Sequence, residues 1–480
     1  MRIAFASSEL APYAKTGGLA DVSASLPKAL AARGHDVTCF LPRYGPIAFP
    51  PGRFLGSVHV PVDAAHRSAG YYEKELAQGL RLVFVEHPPF FDRNGIYGDF
   101  AGDFGDSEFR FAFFCRAVLE YFRSRGERPD VIHAHDWQTG LIPVYLKSFY
   151  ADDPTLHRVA SVFTIHNLAY QGQYAPSTLG ALGLPDSLAT DDALGWNGNI
   201  SFMKGGLLFS EVVTTVSPTY AREIQTAEFG VGLESVVSAR AEDLVGIVNG
   251  VDYEEWDPRT DPHIAGRYDE TGHAGKAACK RAILREYGLA TNPDLPLIGI
   301  VSRLVHQKGF DLVAQAMDEL LGRGIRMVVL GTGEPDVEAG LREFVHRDPQ
   351  RFGVRFQYDT GLAHRIVAGA DMLLLPSKFE PCGLTQMYGM RYGTIPIARA
   401  TGGLADTIEH FDLKRKKGTG FLFQHADVTG LLWAVDEALR AYAKPGPWST
   451  LMHNAMKRDF SWNLSAERYE AVYSRSQSAV

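Results

Sequence analysis

The sequence predicts an α/β fold in two domains, each a parallel sheet covered by helices. Three observations carry this: a length of 480 residues, short apolar runs alternating with longer amphipathic segments, and a cluster of turn-forming steps near the middle. A single core rarely grows past about 250 residues, so two or three domains are expected. Apolar residues make up 45% and charged residues 22%, the balance of a soluble enzyme with material for two cores.

In the first half, runs rich in β-branched and aromatic residues place strands at Arg2–Ser7, Asp36–Leu41, Leu80–Glu86, Asp130–Ala134, Ala160–Ile165, Val212–Val216 and Leu244–Val248. Helical periodicity runs over Ala20–Arg33, stopped by Gly34, and over Ser107–Ser124. Asn-Gly and Asp-Pro steps across Asn249–Pro262 mark a seam between domains at 1–250 and 251–459. The second half repeats the scheme with strands at Leu297–Val301, Met327–Leu330, Val354–Gln357, Met372–Leu375 and Thr394–Ala398, then turns helical. Its amphipathic end, Phe460–Arg475, is expected to cross back, so that 460–480 packs on the first domain. Thr-Gly-Gly-Leu-Ala-Asp stands at 16–21 and again at 401–406, which suggests two related halves.

The net charge of −8 argues against a nucleic-acid partner, which needs clustered cations. The basic run Lys414–Lys417 reads as a solvated loop. Cys39, Cys115, Cys279 and Cys382 stand far apart without a C-x-x-C pair, which fits a reducing compartment. Met1–Glu9 has no long apolar region, and no run approaches the ~20 residues of a membrane helix. No membrane partner and a cytoplasmic location are expected.

Four motifs fall at predicted strand ends, where open α/β sheets bind ligands. Lys15-Thr16-Gly17-Gly18 opens a helix, where backbone N–H groups and the helix dipole favour an anion. In Ser302–Gly309, Arg303 and Lys308 lie five apart and can grip one diphosphate, a fork beside a point charge. Glu380-Pro381-Cys382-Gly383-Leu384-Thr385-Gln386 offers amides to phosphate and a carboxylate to sugar hydroxyls. His133-Ala134-His135-Asp136-Trp137 and Thr164–Asn167 deliver Asp136 and His166 to a sheet edge, suited to hydroxyls and proton steering.

A metal site from His133, His135 and His166 is set aside because alternate strand positions point to opposite faces. No Asp-x-Asp occurs to hold a bridging cation, so Lys, Arg and helix ends must neutralise a diphosphate. Gly331-Thr332-Gly333 begins a dinucleotide fingerprint but lacks its third glycine, which disfavours an NAD-dependent oxidoreductase. Residues 88–122 hold eleven aromatics. Phe90 and Phe91 are among them; those on Phe109–Phe122 read as a core face, whereas the Gly-rich stretch Asp92–Gly105, with Tyr97, Phe100 and Phe104, cannot easily bury all its rings, which are candidates for stacking on sugars.

Together these motifs resemble the bacterial glycogen synthase family, nearly end to end, from Lys15–Asp21 to Phe460-Ser461-Trp462. The resemblance implies a GT-B fold, two Rossmann-like domains whose parallel sheets face each other across a deep cleft. It implies retaining transfer of glucose from ADP-glucose to the non-reducing end of an α-1,4-glucan, without metal or cofactor. By similarity Lys15, Arg303 and Lys308 hold the diphosphate, Gly18, Cys382, Gly383, Leu384 and Thr385 line it, and Glu380 contacts the donor glucose. Tyr358 stacks on adenine and Asn249 sits beside the donor. Asp136 and His166 line the glucose subsite, with Glu9, Tyr97, Asp136 and Asn167 towards the acceptor. Two positions depart from the pattern: Tyr388 stands where relatives with Glu-x7-Glu carry the second glutamate, and Gln138 where histidine is usual. A UDP-glucose-dependent GT-B enzyme and a non-catalytic glucan- or nucleotide-binding protein remain as alternatives.

Overall fold

The computed structural model describes residues 1–62, 67–99, 102–292 and 294–480. The chain divides into two compact units, Met1–Gly250 with Trp462–Val480, and Val251–Ser461. Each is an α/β unit on a parallel sheet, and among the described residues no helix is long and apolar enough to cross a membrane.

The first unit has nine main strands: β1 Arg2–Ala6, β2 Asp36–Pro42, β3 Arg53–Val60, β4 Arg67–Ala77, β5 Leu80–Glu86, β6 Val131–His135, β7 Ala160–Ile165, β8 Val212–Thr215 and β9 Leu244–Gly246. They lie in the order β9-β8-β7-β6-β1-β2-β5-β4-β3. Ile3–Ala6 are all buried, as a central strand covered on both faces requires. The strands β3 and β4 form an antiparallel edge that the pattern does not announce, because neither a long apolar run nor a clean alternation of polar and apolar residues marks them. Helix Gly18–Ala32 follows β1, and its chain is turned away by Gly34 at φ +91°. Helix Ser107–Arg125 buries Phe111, Phe113, Phe114 and Phe122 and ends on Gly126 in the left-handed conformation.

The last helix, Trp462–Gln477, packs on this unit. Glu470 takes Arg33 in a two-bonded pair (2.8 and 2.7 Å) and His35 at 2.9 Å, which holds its carboxyl down at about 2. Tyr473, fully buried, places its hydroxyl 2.9 Å from Nδ1 of His133. Gly250 leaves room for Trp462, since a Cβ there would stand 2.6 Å from the indole.

The second unit has six main strands: β10 Leu297–Val301, β11 Arg326–Leu330, β12 Phe352–Arg355, β13 Met372–Leu375, β14 Ile395–Arg399 and β15 Phe421–Phe423, ordered β12-β11-β10-β13-β14-β15 and all parallel. β12 starts two residues before the sequence expectation because Phe352 is the buried anchor, while 356–358 lead to Asp359, which caps helix Thr360–Gly369 by accepting from Leu362 N. Asp427 caps Val428–Tyr442 in the same way.

The repeated hexapeptide does not mark equivalent positions. Its first copy follows the first strand of one sheet and its second follows the fifth strand of the other. The two copies share a strand-to-helix turn, not a place in a duplicated half.

If the tail helix holds the first unit together, Tyr473→Ala is expected to cost about 3–5 kcal/mol. Tyr473→Phe, which removes only the bond to His133, is expected to cost about 1 kcal/mol. Urea unfolding followed through the first unit checks this, and equal midpoints for both variants would contradict it.

Candidate active site

In both sheets the strand order reverses beside the first strand, between β1 and β6 and between β10 and β13. Loops leaving such a pair diverge and open a crevice at the carboxyl edge. The sequence-predicted residues of each unit lie on these loops or on their neighbours.

In the first unit Glu9 organises the loop after β1. One carboxylate oxygen accepts from Thr16 N (2.7 Å) and Gly17 N (3.2 Å), the other from Thr16 Oγ1 (2.6 Å) and Tyr97 OH (2.7 Å). Glu9 is 3% exposed, so its four donors replace the water it lost. Both oxygens are occupied, and here Glu9 braces the Lys15 loop. Lys15 is exposed and lies 2.6 Å from Asp21, and Gly18 begins the helix behind it. Tyr97 stands with Tyr13, Tyr44, Lys15, Asp99 and Asp103 around a cavity of about 610 Å³.

Phe90 and Phe91 are buried, and the exposed-ring expectation is corrected at half-buried Phe104, which lies against the Arg93 and Arg110 guanidiniums (5.1 and 4.7 Å). Phe100 lies outside the described residues. The ring from that group that borders the cavity is Tyr97.

Asp136 follows β6 with φ 56° and ψ −179°, a conformation natural to glycine and costing a side-chain-bearing residue about 1–3 kcal/mol. It is held there because its N–H meets Thr164 O (2.9 Å) and its Oδ1 accepts from His166 N (2.7 Å) and Asn167 N (3.4 Å). Burial, with Glu9 adding a little, lifts its carboxyl to about 7 against those two bonds. Asn167 spends its side-chain oxygen on Ala169 N (3.1 Å). Buried Gln138 lies beneath this loop, not at its surface.

The argument that set aside a histidine metal site needs correcting. His133 and His135 are two residues apart and share a face, with ring centroids 4.0 Å apart, and His135 Nδ1 lies 3.0 Å from His166 Nε2. What withholds His133 as a ligand is hydrogen bonding, since both its nitrogens are engaged by Tyr473 OH (2.9 Å) and Thr164 Oγ1 (2.6 Å).

At the edge of the first unit, Asn249 is buried and its Oδ1 has no partner among the described residues. Such an oxygen is a ready acceptor for an incoming group.

In the second unit the loops after β10 and β13 are laced together. Lys378 N donates to Gln307 O (2.8 Å), and Lys308 Nζ lies 2.5 Å from Glu380 Oε2, which also accepts from Ser377 Oγ (3.0 Å). Gly309, at φ +76°, lets Pro376 O approach to 2.1 Å of where a Cβ would stand. Arg303 is exposed, its carbonyl accepting from Ser302 Oγ (3.0 Å) and its guanidinium making no ion pair or hydrogen bond among the described residues. Cys382 is buried, while Gly383, Leu384 and Thr385 are half-buried and lead into helix Thr385–Arg391. Tyr358 is 74% exposed. Tyr388, where a second glutamate was looked for, lies flat against Trp256 at 3.9 Å.

Sequence reasoning missed the glycines that seat these loops. A Cβ on Gly331 would stand 1.9 Å from Ser302 O, and one on Gly333 2.0 Å from Leu304 O. The Gly-x-Gly of the broken fingerprint therefore admits the Arg303 loop. In the second hexapeptide, Gly402 and Gly403 admit the backbone of Glu380–Cys382, with Gly403 N donating to Glu380 O (3.1 Å). Around Gly17, in the first copy, the space is open.

Comparison with known proteins agrees along the chain. Residues 2–239 match the family described as starch synthase catalytic domain, and 287–449 match glycosyl transferases group 1. A glycogen synthase of Anaeromyxobacter sp. (strain Fw109-5) is 48% identical over 98% of this chain and 99% of its own. One of Koribacter versatilis is 46% identical over 99% and 98%. The solved catalytic domain of starch synthase IV from Arabidopsis thaliana, bound to ADP and acarbose, superposes with a TM-score of 0.91 at 37% identity, covering 99% of each chain. A sucrose-phosphate synthase from Thermosynechococcus elongatus, 18% identical with a TM-score of 0.63, shares the fold.

Gly403→Ala is expected to displace the Glu380 loop and cut activity by about tenfold or more, while Gly17→Ala leaves the melting temperature within about 1 °C. Initial rates and thermal melts check the pair. A second expectation concerns pH. Asp136 moves from 3.8 to about 7 on folding, so its contribution to stability is full below pH 3.8 and lost as pH rises through about 7. Asp136→Asn keeps an oxygen for the two backbone donors and carries no charge. Its gain in melting temperature over the parent should grow from about pH 4 to about pH 7 and then level off. A gain independent of pH would contradict the assignment.

Proposed function

The chain belongs to the glycogen and starch synthase family, glucosyltransferases that elongate a glucan, and we propose that its donor is ADP-glucose. Glucose passes to the non-reducing end of an α-1,4-glucan with retention at the anomeric carbon. The observation that carries this reading is the Lys308–Glu380 contact at the reversal of the second sheet, with Arg303 open beside it on the same loop. It joins a cation suited to a leaving phosphate to a carboxylate suited to sugar hydroxyls. The ADP and acarbose held by the Arabidopsis relative support both halves of the substrate pair.

The chemistry asks little of a nucleophile. As the bond from glucose to ADP breaks, the electron pair leaves with the phosphate and positive charge grows on the sugar. The acceptor hydroxyl then adds to the anomeric carbon and gives up its proton to the departing phosphate. Lys15, Arg303 and Lys308 are the groups that neutralise the phosphate, and one such donor lowers the barrier by roughly 3 kcal/mol. Gly18, Cys382, Gly383, Leu384 and Thr385 line it, Tyr358 offers a ring to the adenine and Asn249 an acceptor oxygen. Asp136, His166 and Glu380 address the glucose, and Tyr97 and Asn167 the acceptor, which the cavity beside Lys15 receives. Glu9 serves that acceptor side by holding Tyr97. Fixed cations take the part that a metal ion plays in Asp-x-Asp enzymes, and the reading places the reaction in the cytoplasm.

Transfer to a short maltooligosaccharide, measured with ADP-glucose and with UDP-glucose in the presence of EDTA, tests the proposal. ADP-glucose is expected to give the higher kcat/KM, undiminished by the chelator. Preference for UDP-glucose, or loss of activity restored by magnesium, would overturn it. Lys308→Ala is expected to lower kcat by roughly 10²–10³-fold with the melting temperature unchanged.

A further inference from the structure

His135 ends β6 with its ring fully buried, 4.1 Å from the ring of Phe5 and 4.0 Å from that of His133. Its Nδ1 lies 3.0 Å from Nε2 of His166. Its own Nε2 is buried and has no hydrogen-bond partner among the described residues. These three facts determine where the protons of the pair reside.

A hydrogen bond between two neutral imidazoles needs one donor and one acceptor. If His166 donated through Nε2, His135 would accept at Nδ1 and carry its own proton on Nε2. That would leave an N–H buried with nothing to receive it, the kind of orphan that folded proteins rarely tolerate. If His135 donates from Nδ1, only a lone pair is left bare at Nε2, and an unused acceptor is the lesser penalty. A charged ring is excluded at either position. Burial and the adjacent His133 and His166 hold His135 well below the usual imidazole range, and burial holds His166 at about 3.

With Nε2 accepting, neutral His166 must carry its proton on Nδ1. That nitrogen has no hydrogen bond among the described residues and is not one of the buried unpartnered atoms, so on this half-buried ring it opens to solvent. The backbone beneath is fixed as well, since His166 N donates to Asp136 Oδ1 at 2.7 Å.

We propose that His135 is a positioning residue that locks His166 as the Nδ1–H tautomer, so that His166 meets the substrate as a hydrogen-bond donor to a sugar oxygen. This rests on the glucosyltransferase reading only for the identity of the oxygen. The tautomer itself follows from the burial of the pair. Phe5 and His133, packed against the His135 ring, keep it from rotating to offer Nε2 instead.

The test uses the full chain with ¹⁵N-labelled histidine, His166 being assigned by the signal lost in His166→Gln. Two-bond ¹H–¹⁵N correlation spectra without substrate are expected to show His166 protonated at Nδ1 from about pH 5.5 to about pH 8, across the range where a free imidazole titrates. An Nε2–H tautomer, or titration within that range, would overturn the proposal. His135→Leu is expected to let His166 populate both tautomers and to lower kcat about tenfold with KM for acceptor changed less than twofold. His135→Asn, which keeps an N–H where Nδ1 stood, recovers most of that loss. If His135→Leu does not fold, the wild-type spectrum and the Asn variant still decide. An Asn variant whose His166 is protonated at Nε2 would also overturn the lock. A protein that shows the Nδ1–H tautomer and transfers glucose from neither donor would refute the functional reading and leave the lock standing.

Discussion

The order in which each sheet is wound constrains everything that happens at its edge. In both units the first strand lies between its successor and a strand from later in the chain, β1 beside β6 and β10 beside β13, and helices connect most successive parallel strands. Chain leaving the carboxyl end of the first strand turns one way, chain leaving that later strand turns the other, and the backbone between them has no sheet partner left. Its N–H and C=O groups must be satisfied by side chains and by other loops. The residues that do this are the ones that shape the site.

In the first unit that duty falls to the Glu9 carboxylate, which takes two backbone amides and two hydroxyls and so joins the loop of Lys15 to the loop of Tyr97. In the second unit it is shared between glycines and a carboxylate. Gly309, Gly331, Gly333 and Gly403 let strands of backbone approach where a Cβ would collide, and Glu380 ties Lys308 to the neighbouring loop. The cations meant for an anion are thus not left isolated. Lys15 and Lys308 already lie against carboxylates, which holds each ammonium in place. A diphosphate brings more negative charge than one carboxylate, so it can take over these contacts without the lysines moving far.

Much of this was legible in the sequence where one residue type has one physical use. Runs such as Leu297–Val301 and Ala160–Ile165 are apolar on both faces and read as buried parallel strands to the residue. The motifs at their ends named the loops that carry the proposed site residues. What stayed hidden depends on contacts between distant segments. The β3–β4 edge carries too many exposed residues to stand out, and the ring of Phe104 is covered by Arg93 and Arg110 in packing that no local pattern records. Gly331-Thr332-Gly333 was read against the wrong template, because its glycines answer to the Ser302–Leu304 backbone and not to a nucleotide. His133 and His135 were misjudged by counting adjacent instead of alternate positions along a strand.

The first unit also carries strain at the edge proposed to bind the substrate. Asp136 sits at a positive φ with a carboxyl lifted to about 7, His135 keeps a bare nitrogen in the core, and Asn249 an unpartnered oxygen. None of these helps the chain fold. They persist because the surrounding structure over-determines them. β1 and β6 are buried on both faces, the tail helix closes over them through Tyr473, and the chain from His133 through Thr164 to Thr214 satisfies its polar atoms in full. The satisfied groups of His133 and the strained or bare groups of His135 and Asp136 stand on one strand and the turn that follows it, so the backbone that closes the core also holds the groups proposed to bind.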